Sequence, residues 1–355
     1  MRKLLSGFIV SVITALLFIA GCTTAPEATG GNQPKTAGKL RVGFSMDTLK
    51  EERWTRDKAN MEERAKELGV ELIVTVANGD DARQANDVDN LLTQKVDVLI
   101  IAAHNAQTAA AMVEKAKAQG VPVISYDRLI KSDAIDLYVS HQVSRIGQMQ
   151  AEYALKNAPK GNYFMIYGAA TDNNALLLKD AQLATLKPAI DKGDIKIVAE
   201  QAAKDWRPEE AQKIVENALT QNKNNVAAIV ASNDGTAGGA IEALAAQGLA
   251  GKVIVTGQDA DIAALQRIVA GTQTMTIYKP IKPLAYGALD AAIALSKKEK
   301  PPTNAMLKAV NKEVPCMLYD PVVTDKSNIM ETVIKDGYQK FEDVYRNIPP
   351  DQRPK

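Results

Sequence analysis

VDVLIIAAHNAQTAAAMVEKAKAQGVPVISYDR (residues 96–128) decides the architecture. Its two ends, VDVLIIA (96–102) and VPVISY (121–126), are short, rich in β-branched residues and almost continuously apolar, as a strand covered by helices on both faces must be. The stretch between them, near 106–119, reads as a helix. Strand, helix, strand is the βαβ unit, and its repetition builds a parallel sheet with right-handed crossovers.

Working outward, the same alternation continues in both directions. Upstream lie LRVGFSM (40–46), a helix over 51–68, VELIVTV (70–76) and a polar helix near 81–94. In the first helix Trp54, Met61, Ala65 and Leu68 fall on one face of a 3.6-residue period. Downstream, after LYVS (137–140), the pattern restarts with a helix near 144–157. Strands YFMIYGA (163–169), IKIVAEQ (195–201), VAAIVAS (226–232), VIVTG (253–257) and TMTIY (274–278) then alternate with helices near 175–190, 208–220, 236–247, 261–270 and 284–298. Residues 314–323 and the polar tail carry no clear period. The fold class is therefore α/β, and two successive blocks in 355 residues predict two doubly wound parallel-sheet domains.

The first 22 residues read as a targeting segment: Arg2 and Lys3, an apolar run over 4–20, then Gly21 and Cys22. About 17 apolar residues could just span a bilayer, but the small pair Ala20-Gly21 directly before a cysteine marks a cleavage site. Ile19-Ala20-Gly21-Cys22 resembles a bacterial lipobox, which implies a lipid on Cys22 and a protein held on the outer face of the cell membrane without crossing it. Residues 23–39, rich in Thr, Ala, Gly and Pro, read as a flexible tether.

Composition excludes several classes of function. Net charge is +1, so no global field gathers nucleic acid. The two cysteines leave no internal disulfide once Cys22 is lipidated, and Cys316 reads as a small buried hydrophobe. His104 and His141 lack the acidic or thiol neighbours of a metal site. Gly235 to Ala240 follow a strand and open a helix without the spacing of a dinucleotide loop, and are expected to permit close packing instead. Asp80 and Asp81 read as a helix N-terminus. No catalyst, cofactor or metal is expected.

In open α/β sheets ligands bind beyond the carboxyl ends of the strands. There the sequence places Arg53 and Trp54, Asn105, Asp127 and Arg128, then Asp172, Asn173 and Asn174, Trp206, Asn233 and Asp234, Gln258 and Asp259, and Lys279. Both tryptophans of the chain fall in this set. Carboxylates accept from hydroxyls, Arg and Lys donate, Asn does both, and flat rings cover apolar C–H faces, which together suits a pyranose. The same residue types also cap helices, and either tryptophan could be core, so residue chemistry alone leaves both readings open.

Longer stretches narrow the choice. Glu52-Arg53-Trp54, Ser125-Tyr126-Asp127-Arg128, Gly161-Asn162-Tyr163-Phe164, Thr171-Asp172-Asn173-Asn174-Ala175, residues 231–241, GQDAD (257–261) and AGTQTMTIYKP (270–280) resemble the periplasmic D-xylose-binding proteins of bacterial ABC transporters, within the type I ribose- and galactose-binding family. The resemblance runs from about residue 40 to 338. It implies two lobes joined by a three-strand hinge, with 40–142 plus 279–310 in the first and 143–278 plus 311–345 in the second. It also implies sugar contacts from Arg53, Trp54, Asp127 and Arg128 on one side and from Asp172, Asn174, Trp206, Asn233 and Asp259 on the other, with Lys279 at a crossover. The implied partners are a monosaccharide, D-xylose foremost, and an ABC permease, served by a monomer. One departure stands out: where these relatives often carry Phe-Asp-Asn, this chain reads His141-Gln142-Val143. The same fold could instead present sugar to a membrane sensor kinase or chemoreceptor.

Overall fold

The computed structural model describes residues 38–354. The leader, Cys22 and most of the tether lie outside that range.

The first sheet is built around the stretch that opened the sequence. Strand β1 is Arg41–Met46, helix α1 Glu52–Leu68, β2 Glu71–Val76, α2 Asp81–Thr93, β3 Val98–Ala102, α3 Ala109–Ala118, β4 Val123–Tyr126 and β5 Leu137–His141. Every residue of β3 is buried, and its two faces separate with a period of two. Val98, Ile100 and Ala102 join Met61 of α1, whereas Leu99 and Ile101 join Val88 and Leu91 of α2 and Met112 of α3.

Helix α4 (Val143–Asn157) starts the second sheet, followed by β6 (Gly161–Tyr167), α5 (Asn173–Asp191), β7 (Ile195–Ala202), α6 (Pro208–Gln221), β8 (Ala228–Ala231), α7 (Asp234–Ala246), β9 (Ile254–Val255), α8 (Ile262–Ala270) and β10 (Met275–Tyr278). The chain then returns as α9 (Ile281–Ser296), which packs on α1, and as β11 (Ala305–Lys308) and β12 (Glu313–Tyr319). Strand β13 (Val322–Asp325) pairs antiparallel with β10, and α10 (Phe341–Val344) follows in the tail.

Strand order is β11-β12-β5-β4-β3-β1-β2 in the first sheet and β7-β6-β8-β9 in the second. Apart from the β11–β12 hairpin, neighbours in both sheets run parallel. Strand β10 continues the second sheet beside the segment after β9, with Ile277 N donating to Gly257 O at 3.1 Å and Asp259 N to Ile277 O at 2.9 Å. The chain therefore passes between sheets at three places: β5 to α4, β10 to α9, and β12 to β13.

The sequence boundary at 310 needs correction. Strand β12 pairs parallel with β5, Cys316 opposite Tyr138 through Tyr319 opposite His141, so 311–319 extends the first sheet and the third passage follows Tyr319. Pro315 obscured this strand, since it has no N–H for a ladder. Cys316 is buried there, and burial pushes its thiol up to about 11.

Candidate functional site

Each candidate side chain stands where a strand of one sheet ends facing the other. Arg53 and Trp54 open α1 after β1, and Asp127 and Arg128 follow β4. Asp172 caps α5 after β6, with Asn174 in its first turn. Trp206 occupies a short turn after β7, Asn233 caps α7 after β8, Asp259 follows β9, and Lys279 follows β10. All ten line a single cavity. None is more than 8% exposed, which few Arg, Asp or Lys side chains tolerate without partners.

Ion pairs line the cavity. Arg53 donates to Asp127 at 2.6 Å and grips Asp57 with two bonds of 3.0 Å. Arg128 reaches Asp47 at 2.5 Å within its own lobe and Asp172 across the cleft at 3.0 Å. Lys279 pairs with Asp259 at 2.8 Å. Burial pushes the Asp127 carboxyl up, but Arg53 and then Lys279 outweigh it and hold the group far below the usual carboxylate range. Burial would also lower Arg128, yet Asp172 and Asp47 raise it further above its ordinary value. Asp127 and Arg128 therefore stay charged at neutral pH, while burial pushes the Asp172 carboxyl up against the pull of Arg128.

Backbone strain supports this arrangement. Asp127 sits in left-handed backbone at φ 60°, costly for a residue with a side chain. Its carbonyl is held by Tyr138 Oη at 2.8 Å, Ser140 Oγ at 2.7 Å and, from the other lobe, Asn174 Nδ2 at 2.9 Å. Trp206, at φ 57°, donates from Nε1 to Asp172 at 3.2 Å. The guanidinium of Arg53 lies 4.4 Å from the ring centre of Trp54, and that of Arg128 5.1 Å. Each indole lines the cavity and also packs on its own lobe's core.

The capping reading is correct. Asp172 accepts from Asn174 N at 2.8 Å and Asn233 from Thr236 N at 2.9 Å, while both line the cavity. Asp80 caps α2 by accepting from Arg83 N at 2.8 Å. Gly239 does permit close packing, but against a helix: a Cβ there would lie 2.0 Å from Pro208 O of α6.

Three strand-end residues are placed elsewhere. Asn105 turns to Asp81, Asn173 borders a different hollow, and Asp234 lies under the floor, bonded to Gln273 and Thr276. Gln258 of the strand-end set lines the cavity too, as do Glu51, Ser140, His141 and the apolar Val143, Ile146 and Leu178, which that set did not include. Glu51 stands two residues before Arg53, at the N-cap of the same helix. Ser140, His141, Val143 and Ile146 belong to the passage from β5 to α4, and Leu178 to the body of α5, which the strand-end rule does not cover. Burial, Lys279 and Arg53 pull the His141 imidazole down to about 3, so it is neutral at physiological pH.

A model for a periplasmic binding protein domain matches residues 42–300. The chain belongs to the periplasmic binding protein family. It is 45% identical over 332 residues to the D-xylose-binding periplasmic protein of Haemophilus influenzae, covering 94% of this chain and 98% of that one. It is 30% identical to the multiple sugar-binding periplasmic receptor ChvE of Rhizobium radiobacter, covering 97% and 100%. Among solved structures, a carbohydrate-transporter solute-binding protein of Chloroflexus aurantiacus in complex with D-glucose superposes with a TM-score of 0.81 at 30% identity, covering 86% and 98%. Members of this family close two lobes around a small solute, and the two sheets and three passages here are that architecture.

Proposed function

We propose that this protein captures a monosaccharide, D-xylose foremost, between its lobes and delivers it outside the cytoplasm to an ABC importer. The observation that carries this reading is the shared cavity: two indoles and buried Asp, Arg, Asn and Lys side chains from both lobes line one space between the lobes. Arg53, Trp54, Asp127 and Arg128 bind the sugar from the first lobe. Asp172, Asn174, Trp206, Asn233 and Asp259 bind it from the second, and Lys279 binds it at a passage. Sugar stabilises the closed form by touching both lobes at once, and shifts the equilibrium by its preference for closed over open. The relative named for D-xylose supports the choice of pentose. Calorimetry against pentoses and hexoses tests it: D-xylose gives heat and saturates, whereas no heat at millimolar concentration removes the assignment.

A receptor role uses the same cavity and is favoured by the relative named as a receptor. Cross-linking of the sugar-loaded protein in its own membrane separates the two roles, by recovering a permease or a sensor kinase. The lipobox supports anchoring of a monomer through Cys22. Labelled palmitate incorporates into the native chain and not into a Cys22→Ala variant if this is correct.

A further inference from the structure

Glu51 precedes α1 at its N-cap position. An N-cap side chain ordinarily accepts from an amide of the first turn, which is why Asp, Asn, Ser and Thr are favoured there. The Glu51 carboxylate does not: it makes no cap hydrogen bond, and both of its oxygens are buried with no hydrogen-bond partner. Its side chain is only 10% exposed, and the nearest cation, Lys50 Nζ, stands 3.5 Å away. Lys50 instead donates to the Asp205 carbonyl across the cleft mouth.

The position of this orphan is informative. Glu51, Arg128 and Trp206 line both the central cavity and an outer hollow that also includes Asp47, His104 and Arg207. The carboxylate thus stands at the outward end of the binding space. A buried carboxylate without donors is costly, and the cost falls away when a hydroxyl donates to it.

We propose that Glu51 is a further sugar-contacting and specificity-determining residue, which accepts a hydrogen bond from a hydroxyl at the outward end of a neutral polyhydroxylated ligand and thereby makes closure of the lobes conditional on that ligand. In the open form the carboxylate is hydrated. Closing over an empty cavity strips its water and supplies no donor. Closing over a sugar replaces the water with a ligand hydroxyl. The residue therefore penalises the empty closed state and rewards the filled one, which widens the difference in affinity that drives closure.

This inference deepens the sugar-binding reading and rests on it, so the experiment has one arm that needs no sugar. In the first arm, D-xylose is titrated calorimetrically into the native chain and a Glu51→Gln variant. A charge-assisted bond gives an affinity loss of roughly tenfold or more in the variant. Among the monodeoxy-xyloses, one loses the same factor with the native chain and nothing further with Glu51→Gln. In the second arm, small-angle scattering compares ligand-free native protein with Glu51→Leu, which removes the penalty and is expected to be more compact. Melting curves show that both variants fold. A Glu51→Gln affinity within twofold of native, or Glu51→Leu scattering indistinguishable from native, overturns the role of Glu51. Absence of any sugar heat with the native chain overturns the sugar reading, and the scattering arm still decides whether Glu51 governs closure.

Discussion

Gly168 has no side chain because the Trp206 ring occupies that space: a Cβ on it would lie 2.1 Å from the indole Cη2 and Cζ2 atoms. The ring cannot slide away cheaply, since its Nε1 is tied to Asp172 and its backbone is already in a left-handed conformation. Gly168→Ala is therefore expected to push the indole into the cavity and to weaken D-xylose binding about tenfold or more, because overpacking of this kind costs about 1–3 kcal/mol. Calorimetry reads the loss, and an unchanged far-ultraviolet spectrum shows that the fold survives. Asp234 gives a second test. Burial pushes its carboxyl from 3.8 up to about 7, although Arg267 opposes the change. A carboxyl whose folded value is raised binds its proton more tightly in the native state. Its favourable contribution is thus present at low pH and is lost as pH rises from about 4 to about 7. Its two oxygens accept from Gln273, Thr276 and the Asp261 amide. Asp234→Asn is expected to destabilise by about 1–3 kcal/mol by setting an amide N–H₂ against donors. It is also expected to remove part of the decline in melting temperature across that pH window, measured as the difference between variant and native curves. Both effects were invisible in the sequence, where Gly168 looked like a strand end and Asp234 like one more polar residue after a strand.

Helices and strands were the most legible scale. Runs such as VLIIA and VISY declare buried strands because a residue pointing either way meets a helix, and the βαβ rhythm then leaves little freedom in topology. Every one of the ten chosen site residues lines the cavity because strand ends in such sheets converge on one crevice. Legibility failed where local signals conflicted. Strand β12 carries Pro315 in mid-run, and β4 joins β5 through a loop at 127–136 rather than a helix, so neither followed the expected rhythm. Glu51 was passed over because glutamate at a helix start has an ordinary explanation, which only the missing cap bond refutes. The contact between α6 and α7 is a test at this scale. Gly239→Val places a side chain on the Pro208 carbonyl and is expected to lower stability by about 1–3 kcal/mol in denaturant unfolding. Sugar affinity should stay within about twofold, since neither residue lines the cavity.

At the scale of the molecule, the lobes meet in a closed arrangement that is latched at its mouth. Glu52 of α1 accepts from Ile262 N at the start of α8 at 2.8 Å and from Gln339 Nε2 of the tail at 2.7 Å, while Arg56 donates to Gln339 at 2.8 Å. Glu52 does not line the cavity, so it acts on closure alone. Glu52→Ala is expected to enlarge the radius of gyration of the ligand-free protein and to weaken sugar binding about three- to tenfold, because a smaller share of molecules is then competent to hold ligand. Small-angle scattering with and without D-xylose checks this, with the sugar-saturated forms of variant and native protein converging.

The path of the chain between the two sheets has a consequence for biogenesis. Because β12 joins the first sheet only after the entire second sheet has been made, the earlier half-sheet waits with the β5 edge unpaired until residues 313–319 arrive. A nascent polypeptide of this kind cannot complete either half while still emerging, and so it remains threadable through a narrow export pore until about its last eighth is synthesised.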